Sequence, residues 1–205
     1  MLISHKYEFI FIHIYKNAGT SISTALLPFI TTKFQRFANR QLKKVGVLYC
    51  DQPCSTHATA SNIISVIGEK KFKSYFSFCI VRNPWDWQVS LYRYMLKNPN
   101  HPQHELAKEF RDFEDYLNWR CAKEIRFQKD FVCSQSGELL VDFVGKFETL
   151  DEDFQTVCRR IGIPAQLPKV NVSNTTPYQE FYTQRTQELV RSVFEPDISF
   201  FNYSF

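Results

Sequence analysis

The chain has 205 residues, 44% hydrophobic and 22% charged, which is enough for one well-packed domain and excludes a disordered chain. No apolar run approaches the roughly 18–20 residues of a membrane-spanning helix, so we expect no stable membrane insertion. The net charge of +4 is modest, and we expect no nucleic-acid partner.

The apolar patterning predicts strands that alternate with helices along the whole chain. This alternation favours an α/β fold, a single domain over 1–205 with a mainly parallel central sheet flanked by helices. In chain order we expect strand 8–14, helix 20–28, strand 45–50, helix 58–67, strand 75–81, helix 86–96, helices 103–111 and 113–122, strand 139–147, and helices 150–160 and 184–194.

The first predicted strand runs into a polar loop, Lys16-Asn17-Ala18-Gly19-Thr20-Ser21, and a helix follows. A helix N-terminus offers unpaired N–H groups and the positive end of its dipole to an anion. Lysine adds a charge, the hydroxyls add donors, and Gly19 lets the backbone come close to a ligand. The segment predicts an anion cradle, although an ordinary strand-to-helix turn has the same outline.

The position of the lysine argues against a Walker A loop. That loop places its lysine after the second glycine and directly before Ser or Thr, whereas Lys16 comes three residues before Gly19. A P-loop kinase or other nucleotide-binding protein is the alternative function, although the lysine is in the wrong place for it. A non-catalytic module that binds an anion is a second one.

A second polar motif follows the predicted strand 75–81. Arg82-Asn83-Pro84-Trp85-Asp86 begins there, and Ser90 lies one helical turn after Asp86, which we expect to cap the helix. Ligands of parallel sheets gather beyond the carboxyl ends of the strands, so Arg82 is expected at the edge where the Lys16 loop leaves. Guanidinium and hydroxyl groups suit a terminal phosphate, and a structural ion pair is the alternative for Arg82.

These two motifs resemble those of sulfotransferases that use 3′-phosphoadenosine 5′-phosphosulfate (PAPS). Lys-x-x-Gly-Thr-Ser is similar to their 5′-phosphosulfate loop, and Arg-Asn-Pro-Trp-Asp-x-x-Val-Ser-x-Tyr to their 3′-phosphate motif; segments 140–154 and 197–205 continue the likeness. The chain looks most like a soluble bacterial-type member of the carbohydrate branch, which includes the heparan sulfate 2-O and HNK-1 enzymes.

The resemblance implies a P-loop-like sulfotransferase fold, PAPS as co-substrate and no metal. It implies that the 3′-phosphate is held by Arg82 and Ser90, and the 5′-phosphosulfate by the loop residues Lys16, Asn17, Ala18, Gly19, Thr20 and Ser21. Asn171 and Ser173 are predicted to lie in a loop over the cofactor, with a plain turn as the alternative. Tyr15 departs from the pattern, because the family usually has Pro there.

Sulfuryl transfer to an alcohol needs a group that accepts the hydroxyl proton, and histidine suits this near neutral pH. His57 follows the predicted strand 45–50, and His57-Ala58-Thr59-Ala60 resembles the family segment that carries the catalytic histidine. We expect His57 to be the base and Lys16 to stabilise charge on the transferring group. A capping or structural role is the alternative for His57, while His13 is predicted to pack within its strand.

The acceptor is expected to be a hydroxyl of a glycan or glycoconjugate, since the resemblance is to the carbohydrate branch. Residues 9–50 contain no Asp or Glu, and a basic cluster in this range could attract an anionic ligand: Lys33, Arg36, Arg40, Lys43 and Lys44.

The six cysteines form no metal-ligand pattern, and we expect them to be free thiols. If Met1 is the true start, a cytoplasmic location is expected; the sequence leaves the oligomeric state open.

Overall fold

The computed structural model describes residues 1–30, 54–168 and 176–205. Its contacts divide the chain into two compact units. The first unit takes in Met1–Ile80 and Phe131–Val170, and the second Val81–Asp130 and Asn171–Phe205. The single domain over 1–205 stays a prediction, and the predicted strand 45–50 lies outside the described residues.

The sheet has four described strands in the order β1-β2-β3-β4, namely β1 Leu2–Ser4, β2 Phe9–Ile12, β3 Phe76–Val81 and β4 Phe143–Lys146. β1 is antiparallel to β2, with Ile3 opposite Ile10, and β2 is parallel to β3, with Ile12 opposite Cys79. The described sheet is therefore mixed, with an antiparallel strand, β1, at the edge of the parallel pair β2 and β3. β1 was not predicted from the sequence because this strand has only three residues and a charged turn separates it from β2.

The described helices include all the predicted ones, with bounds that differ by at most about two residues, and two short helices that were not predicted, Glu69–Ser74 and Glu195–Phe200. They are α1 Gly19–Ile30, α2 Ala60–Ile67, α3 Glu69–Ser74, α4 Pro84–Lys97, α5 His104–Glu109, α6 Phe113–Lys123, α7 Leu150–Ile161, α8 Gln184–Val193 and α9 Glu195–Phe200. Short 3₁₀ turns occupy Lys129–Phe131, Phe147–Thr149 and Tyr178–Phe181. The α/β class is confirmed.

Two helix ends show how the local sequence acts. α1 continues to Ile30 with Pro28 inside it, two residues beyond the predicted stop. α7 ends as predicted at Gly162, whose φ of 68° is left-handed and suits glycine, and its N–H donates to the Cys158 carbonyl.

The core of the first unit lies around β2 and β3, packed against α1 and α7. All four residues of β2 are buried, as fits a strand covered on both faces. The cluster includes Phe9, Phe11, Leu26, Phe78 and Phe154. This packing fixes the strand from which the Lys16 loop leaves.

The second unit has a core rich in aromatic side chains. Trp85 and Trp87 of α4 are buried, as are Tyr116 and Phe194. The Trp85 indole N–H donates to the Gln187 carbonyl at 3.1 Å, which links α4 to α8. Buried indoles normally find such a partner, and this one fixes the beginning of α4.

Candidate active site

The Lys16 loop connects β2 to α1 and adopts an uncommon backbone conformation. Lys16 and Ala18 have φ of 65° and 58°, which are left-handed values that cost non-glycine residues roughly 1–2 kcal/mol each. The first helical bond runs from Ile22 N–H to the Ala18 carbonyl at 3.0 Å. Left-handed residues just before a helix create concave arrays of N–H groups that suit anions. Thr20 is exposed and Ser21 half-buried in the first turn.

Asn17 anchors this loop to the neighbouring strand. Its side chain is 1% exposed, and its amide Nδ2 donates to the Ile80 carbonyl of β3 at 2.9 Å. A buried bond of this kind holds the residues on either side in their strained conformations. Sequence reasoning assigned Asn17 to the cofactor; the structure gives its side chain an anchoring contact that the motif did not reveal.

Gly19 is required by a neighbouring side chain, and its backbone does not need a left-handed conformation. A Cβ atom added at Gly19 would lie 1.8 Å from Nε2 of His13. The imidazole of His13 therefore covers the start of α1. Sequence reasoning explained this glycine by close approach of a ligand, and the structure adds a packing reason.

His13 is a packing residue, as predicted, but it lies just after β2, which ends at Ile12, and not within the strand. Its ring stacks on Phe11, with centroids 5.8 Å apart and planes at 17°. Burial lowers its pKa from 6.5 to about 3, and repulsion from His57 adds to the shift. At neutral pH His13 therefore carries no charge beside the loop.

His57 is exposed and lies next to His13. Its Nδ1 is 3.0 Å from the His13 carbonyl oxygen, and the two rings have centroids 4.7 Å apart. A carbonyl can only accept, so Nδ1 carries the hydrogen, and in the neutral ring Nε2 holds the lone pair. The helix after His57 is capped by Thr59, so His57 does not cap it.

Tyr15, the residue that departs from the family pattern, packs beside His57. The two rings meet edge to face, with centroids 6.0 Å apart and planes at 85°. Phe131 contacts Tyr15 at the same centroid distance. The substitution of the usual proline thus adds an aromatic wall next to the candidate base.

The second motif lies in the second unit, at the beginning of α4. Arg82 Nε donates to Asp86 Oδ2 at 2.6 Å, and both side chains are largely buried. The expectation that Asp86 caps α4 is wrong: Asn83 is the N-cap, and its Oδ1 accepts from the Trp85 N–H at 3.1 Å. Asp86 instead orients Arg82. Ser90 is half-buried on the next turn.

Sequence reasoning missed two residues behind Arg82. The side-chain amide of Gln128 makes hydrogen bonds with both the N–H and the carbonyl of Arg82, at 2.9 and 2.7 Å. Asp197 accepts in turn from the Gln128 N–H. Neither residue stands near Arg82 in the sequence, and the one available signal was the place of Asp197 in the tail that resembles the family.

Other predicted features lie outside the described residues. These are Asn171 and Ser173 and the basic cluster 33–44. Within the described ranges, no group of three or more His, Cys, Asp or Glu side chains could hold a metal ion. None of the helices described is long and apolar enough to cross a membrane.

Comparison with known proteins identifies the family. The model of the sulfotransferase family matches residues 1–204. An uncharacterized protein of Archaeoglobus fulgidus is 31% identical over 115 residues, which are 56% of this chain and 91% of that protein.

Among solved structures, the crystal structure of mouse sulfotransferase SULT7A1 complexed with PAP has the same fold. Its TM-score is 0.57 at 14% identity, and the match covers 96% of this chain and 86% of that one. The resemblance read from the two motifs is confirmed at the level of the family, and sulfuryl transfer is the general chemistry that the family supports. Over residues 1–204 of its 205, the chain belongs to the sulfotransferase family.

Proposed function

We propose that this protein transfers the sulfuryl group of PAPS to a hydroxyl of a carbohydrate acceptor. The observation that carries the proposal is the Lys16 loop, in which left-handed Lys16 and Ala18 precede a helix N-terminus. Membership of the sulfotransferase family supports sulfuryl transfer in general. The choice of PAPS is supported by the two motifs and by the PAP bound to the mouse structural neighbour.

In this proposal each motif binds one end of the nucleotide. The 5′-phosphosulfate is bound by Lys16 and by the N–H and hydroxyl groups of 19–21, with Asn17 holding the loop in place. Arg82 and Ser90 bind the 3′-phosphate. The ion pair with Asp86 is also what the structural alternative for Arg82 predicts; the assignment to the 3′-phosphate rests on the motif, and the pair would fix the guanidinium and so lower the entropy lost when it binds a phosphate.

His57 is the proposed base. Its Nε2 holds the lone pair because Nδ1 donates to the His13 carbonyl, and its exposure lets an acceptor approach. Nε2 removes the hydroxyl proton, the hydroxyl oxygen forms a bond to sulfur, and the bond from sulfur to the bridging phosphate oxygen breaks. Lys16 stabilises the charge that grows on that bridging oxygen.

The neutral state of His13 supports the same role for His57. A charged His13 with its ring centroid 4.7 Å away would disfavour the protonated His57 that forms in the reaction. Because burial keeps His13 uncharged at neutral pH, His13 places no positive charge beside His57. The carbohydrate acceptor rests on the resemblance to the carbohydrate branch.

The test replaces His57 with Ala and follows transfer of radiolabelled sulfate from PAPS to a panel of glycans. We expect kcat to fall about 10²–10⁴-fold, the usual contribution of a general base, while the affinity for adenosine 3′,5′-bisphosphate stays within about twofold. His5→Ala is the matched control, because His5 is an exposed histidine whose ring contacts Tyr75.

Two outcomes would contradict the proposal at different points. Turnover at the wild-type level in His57→Ala removes His57 from the mechanism. Thermal stabilisation by ATP with Mg²⁺, with none by adenosine 3′,5′-bisphosphate, overturns the choice of nucleotide and favours a P-loop kinase.

A further inference from the structure

We propose that Gln128 and Asp197 are positioning residues that set the affinity of Arg82 for the 3′-phosphate of the nucleotide. This inference rests on the proposed function, because it takes Arg82 as the 3′-phosphate ligand. All the residues concerned belong to the second unit. Neither Gln128 nor Asp197 is placed against the nucleotide; each acts through the residue that it holds.

The side-chain amide of Gln128 holds both polar groups of the Arg82 main chain. The Arg82 N–H donates to Oε1 at 2.9 Å, and Nε2 donates to the Arg82 carbonyl at 2.7 Å. β3 ends at Val81, so the side-chain amide pairs with the next residue much as a neighbouring strand would. This pair of hydrogen bonds needs one donor and one acceptor on the same planar group. An amide has both, and a carboxylate has no donor.

Asp197 holds Gln128 in turn. Its Oδ2 accepts from the Gln128 N–H at 2.8 Å and its Oδ1 from the Lys129 N–H at 2.9 Å. Asp197 and Gln128 are both 0% exposed, so these bonds form away from water. Both carboxylate oxygens are used, which makes the contact specific for Asp: Asn would set an NH₂ group against one of the two N–H donors.

The side chain of Arg82 is fixed separately by Asp86. The Nε–Oδ2 distance of 2.6 Å is that of a short, charge-assisted bond. Gln128 therefore sets where the arginine leaves the backbone, and Asp86 sets how its guanidinium turns. Binding of a phosphate by a pre-oriented guanidinium avoids the ordering cost that a mobile arginine carries.

The arrangement predicts a selective defect when Gln128 loses its donor. Gln128→Glu keeps the shape and the acceptor for the Arg82 N–H but sets a carboxylate oxygen against the Arg82 carbonyl. The repulsion shifts the backbone of Arg82 and its guanidinium with it. Binding of the 3′-phosphate should weaken, while contacts to the rest of the nucleotide stay as they were.

The experiment compares two nucleotides by isothermal titration calorimetry on the full chain. Adenosine 3′,5′-bisphosphate carries the 3′-phosphate and adenosine 5′-monophosphate lacks it, so the ratio of their affinities reports on the Arg82 site. We expect Gln128→Glu to lower that affinity ratio roughly tenfold, with the affinity for adenosine 5′-monophosphate within about twofold of wild type. Gln179→Glu, the same change at an exposed glutamine, should leave the ratio unchanged.

The readout separates positioning from general damage. Equal loss for both nucleotides, or no loss for either, overturns the positioning role, because a structural defect does not discriminate between them. If Gln128→Glu does not fold, Gln128→Met, which is similar in length and uncharged, is measured in the same way. A wild-type protein with no preference for the bisphosphate instead overturns the assignment of Arg82, and so the proposed function on which this inference rests.

Discussion

The Lys16 loop and the Arg82 segment are two ways of holding a cationic residue. In the loop the backbone itself is unusual, with two left-handed residues held by the bond from Asn17 to Ile80. At Arg82 the backbone is held by a side-chain amide, Gln128, which depends on a buried carboxylate. The cost of the first arrangement is backbone strain in the loop. The cost of the second is the desolvation of Asp197.

Because one region contains a base of lowered pKa and the other an acid of raised pKa, the stability of the two regions should respond to acid in opposite directions. The loop region contains a half-buried base, His13, which resists protonation. The Arg82 region contains a buried acid, Asp197, which resists losing its proton. A variant that removes either group should therefore change the pH dependence of stability with a sign that identifies the region.

The largest effect is expected from His13. Its pKa is 6.5 when unfolded and about 3 when folded, because burial and the nearby His57 disfavour its charge. Below pH 6.5 the unfolded chain binds a proton that the folded chain does not, so the stability that His13 contributes is lost as the pH falls from 6.5 toward 3. The loss amounts to roughly 3–5 kcal/mol at full extent.

Urea unfolding between pH 7 and pH 4 measures this, with His13→Gln as the uncharged variant. The difference in unfolding free energy between wild type and variant should narrow steadily as the pH falls. A difference that stays constant over this range would show that His13 is protonated in the folded protein, and the loop would then need another explanation for its packing. The carboxylates of the chain titrate equally in both proteins and cancel.

The next effect in size is expected from Asp197. Burial, with a contribution from the charge of Asp130, raises its pKa from 3.8 to about 6, against the bonds from the Gln128 and Lys129 N–H groups. Between those pH values the folded protein holds a proton that the unfolded chain lacks, so this group makes the fold more stable as the pH falls from 6 to 4. The gain is about 2–3 kcal/mol.

Asp197→Asn removes the titration, and the same unfolding series then separates the two regions. At pH 7 the variant should be less stable by about 1–3 kcal/mol, since an NH₂ group faces an N–H donor. Relative to that variant, wild type should gain stability between pH 6 and pH 4, the reverse of the trend for His13. Parallel curves for wild type and Asp197→Asn would mean that Asp197 is ionised throughout and that its burial costs less than we infer.

Local sequence patterns single out the residues of each motif but do not reveal the residues that hold them in place. The order of strands and helices and the positions of Lys16, Arg82 and His57 follow from local patterns of apolar and polar residues. The anchors lie far away in the chain: Asn17 bonds to Ile80, and Gln128 bonds to Arg82. A pairing over such distances depends on tertiary packing, which local periodicity does not encode.

Prediction from local sequence also failed where one residue suits two structural roles. Asp86 in the first turn of α4 suits both a cap and an ion pair, and the turn at Asn83 decided the outcome. β1 has too few residues to show alternation, so this strand and its antiparallel pairing with β2 were not predicted. Gly19 was read through its backbone freedom, although the side chain that excludes a Cβ there, His13, stands six residues earlier.

The smallest effect of the three is expected from Gly19→Ala, and it tests whether the loop is held by packing as well as by strain. At the start of a helix alanine is intrinsically favoured by up to about 1 kcal/mol over glycine. Against this gain, the new Cβ would lie 1.8 Å from Nε2 of His13, and overpacking of this kind costs about 1–3 kcal/mol. We expect the clash to win, with a net loss of about 1–2 kcal/mol and displacement of His57, which contacts the His13 carbonyl.

The double variant His13→Ala with Gly19→Ala decides between the two causes. Without the imidazole the clash is gone, so adding Gly19→Ala to a His13→Ala background should stabilise the protein by a few tenths to about 1 kcal/mol. A change of sign between the two backgrounds is the signature of direct contact. If Gly19→Ala destabilises both backgrounds equally, the cost comes from the strained backbone of Lys16 and Ala18. Contact with the His13 imidazole would then not be the reason for the glycine.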